Sequence, residues 1–362
     1  MAQQHQTVQT GAEQRPRLQN DDYTVAIICP MGVELAPVLA LFDEEHMGLR
    51  ANRDQNAYKL GRMGQHNVVV AAMPLTGNNP AAMVATQLLN DFGRVRFGLL
   101  VGVGGGIPDK DYDDEDLHDI RLGDLVVSEA HDGFGGVVQF DRGKSTAEGF
   151  VRTGHLNKPP HVLAGTVELL KALHKQHGNS ILRHFDEMLS RYPRMQEEYS
   201  SPGVEQDRLF ETEYVHESKG SCKSCDPTKI VKRKARKCLD PQIHYGTIGS
   251  SNIVIKDSKK RDALRDSMGI LCVEMEAAGM MLTFPCLVIR GICDYADSHK
   301  SKKWQPYAAA TAAGYAKELL LQIPPEAVKQ TQTITEVLQG LSADLQQVQK
   351  HTQNTEKWTQ SM

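Results

Sequence analysis

Two short stretches carry the side chains best suited to chemistry: Val273-Glu274-Met275-Glu276-Ala277-Ala278 and Cys286-Leu287-Val288-Ile289-Arg290-Gly291-Ile292-Cys293-Asp294. The first reads as a helix start bearing two carboxylates and a methionine. Residues two apart on a helix point about 200° from each other, so Glu274 and Glu276 are expected to do different jobs. The second is a short apolar run that reads as a buried strand ending on Asp294. The carboxyl ends of parallel strands border the ligand crevice of an α/β sheet. One carboxylate at a helix start and one at a strand end suit a reaction in which one acid protonates a leaving group while another grips a sugar. Taken singly, each has an ordinary alternative, a solvated helix glutamate and a turn-forming aspartate.

The elements that must position these groups alternate along the chain. Residues 25–29 are a β-rich run, and 34–44 read as a helix with Leu35, Val38, Leu39 and Phe42 on one face. A second strand is expected over 67–73. Asn79-Pro80 supplies a cap and a first-turn proline for a helix over 81–92. A third strand over 97–103 runs into Gly102-Val103-Gly104-Gly105-Gly106, read as a loop, and 122–128 is another strand. Strands alternating with helices predict a largely parallel sheet covered on both faces, an α/β fold.

Composition sets the bounds. The chain has 362 residues, 40% hydrophobic and 24% charged, with a formal net charge of −4. That is enough for one large domain plus tails. Mild acidity argues against a nucleic-acid partner, and the lack of an 18-residue apolar stretch against a membrane span. Residues 1–22 are Gln-rich without an apolar core, and are read as a disordered arm rather than a secretory signal. Cys29, Cys272, Cys286 and Cys293 sit in apolar surroundings and are expected to be reduced, buried thiols, with a cytoplasmic location as the default.

Two insertions and a tail complete the chain. Seven of the eleven residues in 109–119 are Asp or Glu, read as a solvated loop. Residues 180–241 are polar, poor in apolar periodicity, and contain Cys222-Lys223-Ser224-Cys225. His216, Cys222, Cys225 and Cys238 are candidate zinc ligands there, against a free-thiol loop. In the tail, 324–362, Ile334, Leu338, Leu341, Leu345 and Val348 follow a heptad spacing. This seam predicts a helix docked on its own domain, a self-associating helix, or a linker into a further domain.

The two opening stretches, with Ile289-Arg290-Gly291-Ile292-Cys293-Asp294-Tyr295-Ala296-Asp297-Ser298-His299, Trp304-Gln305-Pro306-Tyr307-Ala308-Ala309-Ala310-Thr311-Ala312-Ala313 and Ile243-His244-Tyr245-Gly246-Thr247-Ile248-Gly249-Ser250-Ser251, resemble the nucleoside phosphorylase and nucleosidase superfamily over residues 23–323. The resemblance is nearest to a fungal branch found as the N-terminal domain of immune-receptor-like proteins. It implies a three-layer α/β/α sandwich with a central mixed, largely parallel sheet, acting as an N-glycosidase on a purine nucleoside or nucleotide, adenine type, with ATP and AMP among the candidates. It implies no cofactor, and a homo-oligomer. By resemblance Asp294 protonates the departing purine, with burial raising its pKa in the needed direction. Glu276 accepts from the ribose hydroxyls, and Met275 forms a platform under the sugar. Gly102, Gly104 and Gly105 run along the base and nucleophile site. Asn252, Val254 and Ile255 line the purine, with an aliphatic Val254 in place of the usual aromatic.

The nucleophile separates two activities. Phosphorolysis needs a phosphate site, usually with arginines. The first-strand loop Cys29-Pro30-Met31-Gly32-Val33-Glu34 has none, and neither does the glycine cluster. Glu34 instead matches the position where nucleosidases place a carboxylate that orients water. Hydrolysis is therefore the leading reading, with phosphorolysis second and a non-catalytic nucleotide-sensing module third. The basic residues of 142–158, Arg152 and Lys158 among them, and Lys300, Lys302 and Lys303 are candidates for binding a 5′-phosphate.

Overall fold

Successive residues of the central strands pack to opposite sides, and this sets the architecture. In a computed structural model, residues 15–48, 55–109, 118–131, 133–216, 222–340, 342, 343, 346 and 347 are described. The strands are β1 (Val25–Cys29), β2 (Glu44–Glu45), β3 (Ala57–Met63), β4 (His66–Ala72), β5 (Phe97–Gly106), β6 (Leu125–Ser128), β7 (Val137–Gln139), β8 (Gly143–Thr146), β9 (Gly149–Arg152), β10 (Ile243–Ser250), β11 (Ile270–Glu274) and β12 (Cys286–Asp294). The helices are α1 (Gly32–Ala40), α2 (Asn78–Asp91), α3 (His161–His177), α4 (Ile181–Arg191), α5 (Gln196–Tyr199), α6 (Ser258–Met268), α7 (Ala277–Met280), α8 (Gln305–Gln322) and α9 (Pro325–Gln330).

Val25 and Ile27 of β1, Leu99 and Val101 of β5, and Leu287 and Ile289 of β12 join one apolar core with α1, α3, α4 and α8. Their neighbours Ala26, Ile28, Leu100 and Val288 join a second core with α2 and α7. A strand buried on both faces is largely apolar, and β1 and β12 are buried at every residue, with Arg290 and Asp294 the charged exceptions in β12. The result is the expected α/β/α arrangement around a mixed sheet. Its order is β11-β10-β6-β12-β5-β1-β4-β3-β2, with β7 on β10. β1 pairs in parallel with β4 and β5, and β12 with β5, while β3–β4 and β6–β12 are antiparallel. β11 also pairs antiparallel with the end of β5, through Cys272 to Gly106 and Val273 to Gly105. Strands β5, β12, β6, β10 and β11 thereby close into a ring.

Several local expectations are corrected. Gly102–Gly106 is not a loop, because it continues β5, paired with β12 as far as Gly105 with a register shift between Ile292 and Asp294, and with β11 at Gly105 and Gly106. Glu274 and Glu276 do not share a helix: Glu274 ends β11, Met275 lies in a bend, and Glu276 is the N-cap of α7. Within the insertion 180–241, α4 is amphipathic and buries Ile181, His184, Phe185 and Met188 against α8 and its neighbours. α1 ends at Ala40, short of the expected span. In the tail, Ile334 is fully buried in the second core and its N–H donates to Val95 O at 2.9 Å, with Leu338 packed beside it. These two residues dock on their own domain. Leu341, Leu345 and Val348, residues 110–117 of the acidic insertion and residues 1–14 of the arm lie outside the described residues. No helix among the described residues is long and apolar enough to cross a membrane.

Candidate functional site

Arg290 stands at the centre of β12 and is fully buried. A buried guanidinium is tolerated only with partners, and three carboxylates surround this one. Glu274 contacts Nη2, Glu276 Oε2 lies 3.1 Å from Nη2, and Glu34 Oε1 lies 3.9 Å from Nη1. The guanidinium is held firmly charged, as those carboxylates outweigh its desolvation. Its Nε and Nη1 have no hydrogen-bond partner among the described residues. Room for this group comes from β5: a Cβ at Gly102 would stand 2.4 Å from Arg290 Nη1 and 2.5 Å from Glu34 Oε1. At Gly104 it would meet Val273 O at 3.2 Å and Arg290 Cβ at 3.4 Å.

Glu34 sits in the first turn of α1, with its two oxygens accepting separate backbone N–H groups. Oε2 takes Met31 N–H at 2.7 Å and Oε1 takes Val103 N–H at 2.7 Å. It is 1% exposed, and burial pushes its carboxyl up to about 7 despite the opposing pull of Arg290 and the two amides. Glu276 Oε1 accepts from Gly77 N–H at 3.2 Å, just before α2. Gly77 has φ 122, a region that suits glycine. Burial raises the Glu276 carboxyl too, with Arg290 opposing. Glu274 accepts from the N–H groups of Glu276 and Ala277, and so fixes the bend that carries Met275 and Glu276. Met275 is half-buried there.

Asp294 belongs to an adjoining group. Its Oδ1 accepts from Ala296 N–H at 2.8 Å and faces Lys300 Nζ at 3.2 Å, while Cys293 Sγ donates to Oδ2 at 3.4 Å. Ala296 has φ 51, uncommon for a residue with a side chain, and is completely buried. A Cβ at Gly105 would lie 2.8 Å from Asp294 Oδ1. Gly102 and Gly105, which border Glu34 and Asp294, are three residues apart on β5. Cys293 lies between: burial pushes its thiol far up, and both Asp294 and Glu34 add to the rise.

The remaining expected residues divide. Asn252 joins the site, its Oδ1 accepting from Asn78 N–H at 3.0 Å at the start of α2. Val254 is 48% exposed, whereas Ile255 is buried in a small core with Phe140, Leu264 and Val273, and so supports the site from below. Arg152 lies on the β8–β9 hairpin, with Nη1 donating to Gly154 O at 2.7 Å and its guanidinium over Phe134. Lys158 is not beside the carboxylates. It lines a cavity of about 410 Å³ with Ser128, Glu129 and Leu287, at the opposite end of β12 from Asp294. Lys300, expected near a phosphate, faces Asp294 instead. His216, Cys222 and Cys225 come together, but Cys238 does not join them: it is exposed and accepts from Asp240 N–H.

Sequence reasoning missed Arg290, Gly77 and Asn78 as site residues. Asn78 Oδ1 accepts from both Ser250 Oγ and Gly279 N–H, which ties α2, β10 and α7 together. A lone arginine inside an apolar strand signals that buried acids must surround it, but not which acids they are.

The profile of the phosphorylase superfamily matches residues 24–321. A nucleotide-binding leucine-rich repeat (NLR)-like protein of Hyaloscypha variabilis is 44% identical over 323 residues, 89% of this chain and 31% of that protein. The chain thus spans about a third of the length of that relative. Among solved structures, 5′-methylthioadenosine/S-adenosyl homocysteine nucleosidase of Helicobacter pylori aligns with TM-score 0.51 and 18% identity, over 83% of this chain and 98% of that one. Futalosine hydrolase of the same organism gives 0.51 and 19%, over 83% and 97%. The Neisseria meningitidis 5′-methylthioadenosine/S-adenosylhomocysteine nucleosidase gives 0.52 and 16%, over 82% and 98%. At these identities the solved structures speak for the fold, and the match to the profile over most of the chain identifies the family. The protein belongs to the phosphorylase superfamily.

Proposed function

We propose that the chain hydrolyses the N-glycosidic bond of a purine nucleoside or nucleotide and releases the free base. Glu34 accepts a proton from the attacking water, Glu276 holds the ribose hydroxyls and Asp294 protonates the departing purine. The observation that carries this reading is Glu34: a buried carboxyl pushed up to about 7, which suits a base working near neutral pH. Glu276 would tighten on the sugar as positive charge develops there.

Arg290 is the one feature that favours phosphorolysis, as a buried cation with unpartnered nitrogens. It is surrounded by Glu34, Glu274 and Glu276, so the net field at the guanidinium favours cations over phosphate. The name of the Hyaloscypha relative supports a further reading, a domain that binds nucleotides without turning them over. One experiment separates all three. Purified protein is incubated with ATP, AMP, adenosine and inosine, with and without phosphate, and bound ligand, free base and sugar products are measured. Base release without phosphate is expected. Strict dependence on phosphate, with ribose 1-phosphate as product, would establish phosphorolysis. Binding without base release would establish the sensing role.

A further inference from the structure

The inserted segment folds back on the residues that follow Asp294. Tyr295 Oη donates to Asp207 Oδ1 at 2.5 Å, and His216 N–H donates to Ser298 Oγ at 2.9 Å. The His299 ring stacks on Phe210 at 4.0 Å between centroids. Where these elements meet, His216, Cys222, Cys225 and His299 bring one nitrogen or sulfur each to within 4.8 Å of one another. Cys222 Sγ and Cys225 Sγ stand 3.6 and 3.7 Å from His299 Nδ1. A tetrahedral zinc with bonds of about 2.3 Å to sulfur and about 2.0–2.1 Å to nitrogen requires a sulfur–nitrogen separation of about 3.6 Å.

The far side of His299 agrees. Its Nε2 lies 3.1 Å from Tyr214 O, a backbone acceptor that holds the proton on Nε2. The Nδ1 lone pair is then free to face the two sulfurs, as in histidine ligands oriented by a carbonyl. Phe210 and Tyr214 stack near-parallel to the ring and limit its rotation. Cys225 N–H donates to Cys222 O at 3.3 Å, so a tight turn presents both sulfurs to one side.

We propose that His216, Cys222, Cys225 and His299 bind a structural zinc ion. Two thiols and two imidazoles suit zinc rather than calcium or magnesium, which prefer oxygen. The thiols bind as thiolates, and their two protons pass to solvent as the metal enters. The ion fastens the insertion to the segment just after Asp294, joining parts of the chain more than 70 residues apart.

The test uses the full chain, purified without chelator and then incubated with Zn²⁺ alone. About one zinc per chain should survive gel filtration. Cys222→Ser and His299→Ala should each lose it, while Cys238→Ser should keep it. Replacement by Co²⁺ on the unaltered chain needs no variant to fold. It should give strong visible bands of a tetrahedral site and near-ultraviolet thiolate-to-cobalt absorption. An unaltered chain that holds no zinc would overturn the proposal. So would cobalt bound without thiolate absorption, or Cys238→Ser losing zinc as fully as Cys222→Ser.

Discussion

Glu34→Gln tests the proposed chemistry most sharply, because Glu34 affects rate and stability with opposite dependence on pH. The carboxyl is buried and pushed from 4.5 up to about 7, chiefly by burial. That displacement makes ionisation in the fold cost about 3 kcal/mol. The fold favours the protonated form. The stability this contributes is fully present below about 4.5 and is lost as pH rises through about 7. Activity needs the ionised form, so kcat/KM should rise about tenfold per pH unit up to about 7 and then level off. Gln cannot take a proton, and the rate should fall about 10²–10⁴-fold, or about 3–5 kcal/mol in barrier. Protonated or ionised, each Glu34 oxygen keeps a lone pair for its backbone N–H, whereas a Gln amide keeps only one of these bonds. Leaving Met31 or Val103 N–H facing an NH₂ should cost about 1–3 kcal/mol. Glu34→Gln should therefore be less stable than the parent at pH 5. The gap should close or reverse at pH 8.5, where the parent carries its buried charge. Urea unfolding at both pH values and the pH profile of base release read these outcomes. A variant within threefold of parental activity, or a parental acid limb centred near 4.5, would refute the assignment of Glu34 as the base.

Asp294→Asn should lower base release about 10²–10⁴-fold with little change in the unfolding midpoint; full activity in the purified variant removes Asp294 from the mechanism. Arg290→Met leaves Glu274 and Glu276 buried without their cation and should cost about 3–5 kcal/mol. Urea unfolding should show a smaller loss at low pH, where these carboxyls can protonate, and a pH-independent loss would mean that the ion pairs are not its source. Ile334→Ala should cost about 2–5 kcal/mol, because the side chain is fully buried in the domain's own core. An unchanged unfolding midpoint would show that the start of the tail does not dock there.

Legibility followed the range over which each residue is determined. Glu34, Glu276 and Asp294 stood out because contiguous segments carry them, and the resemblance of those segments to the superfamily implies their roles. The layer order was legible because apolar runs such as Val25–Cys29 fit only a strand covered on both faces. The partners of these residues were not legible. Arg290 reads as part of an apolar strand until three acids from distant segments arrive around it. His299 joins Cys222 and Cys225 only when the insertion folds back, whereas Cys238 was nearer in sequence and proved unrelated in space. Glu274 and Glu276 were read with helical spacing, but Glu274 completes a strand and uses its carboxylate to fix the bend that follows. Short carboxylate pairs cannot tell these cases apart, since both leave the residues polar and two apart.

The glycines of β5 show how the site depends on side chains that are missing. A glycine cluster after an apolar run ordinarily signals a turn. Here it remains strand because β12 supplies its pairing on one side and β11 closes on the other. The missing side chain at Gly102 leaves room for the Arg290 guanidinium and the Glu34 carboxylate, the one at Gly104 for Val273 O and the Arg290 Cβ, and the one at Gly105 for Asp294. Any Cβ at Gly102 would occupy the space of both charged groups at once, well inside van der Waals contact. Packing and chemistry therefore impose the same requirement on β5. The strand must stay paired with β12 and β11, and bare enough that acids from α1, β12 and the β11–α7 bend can collect at its end.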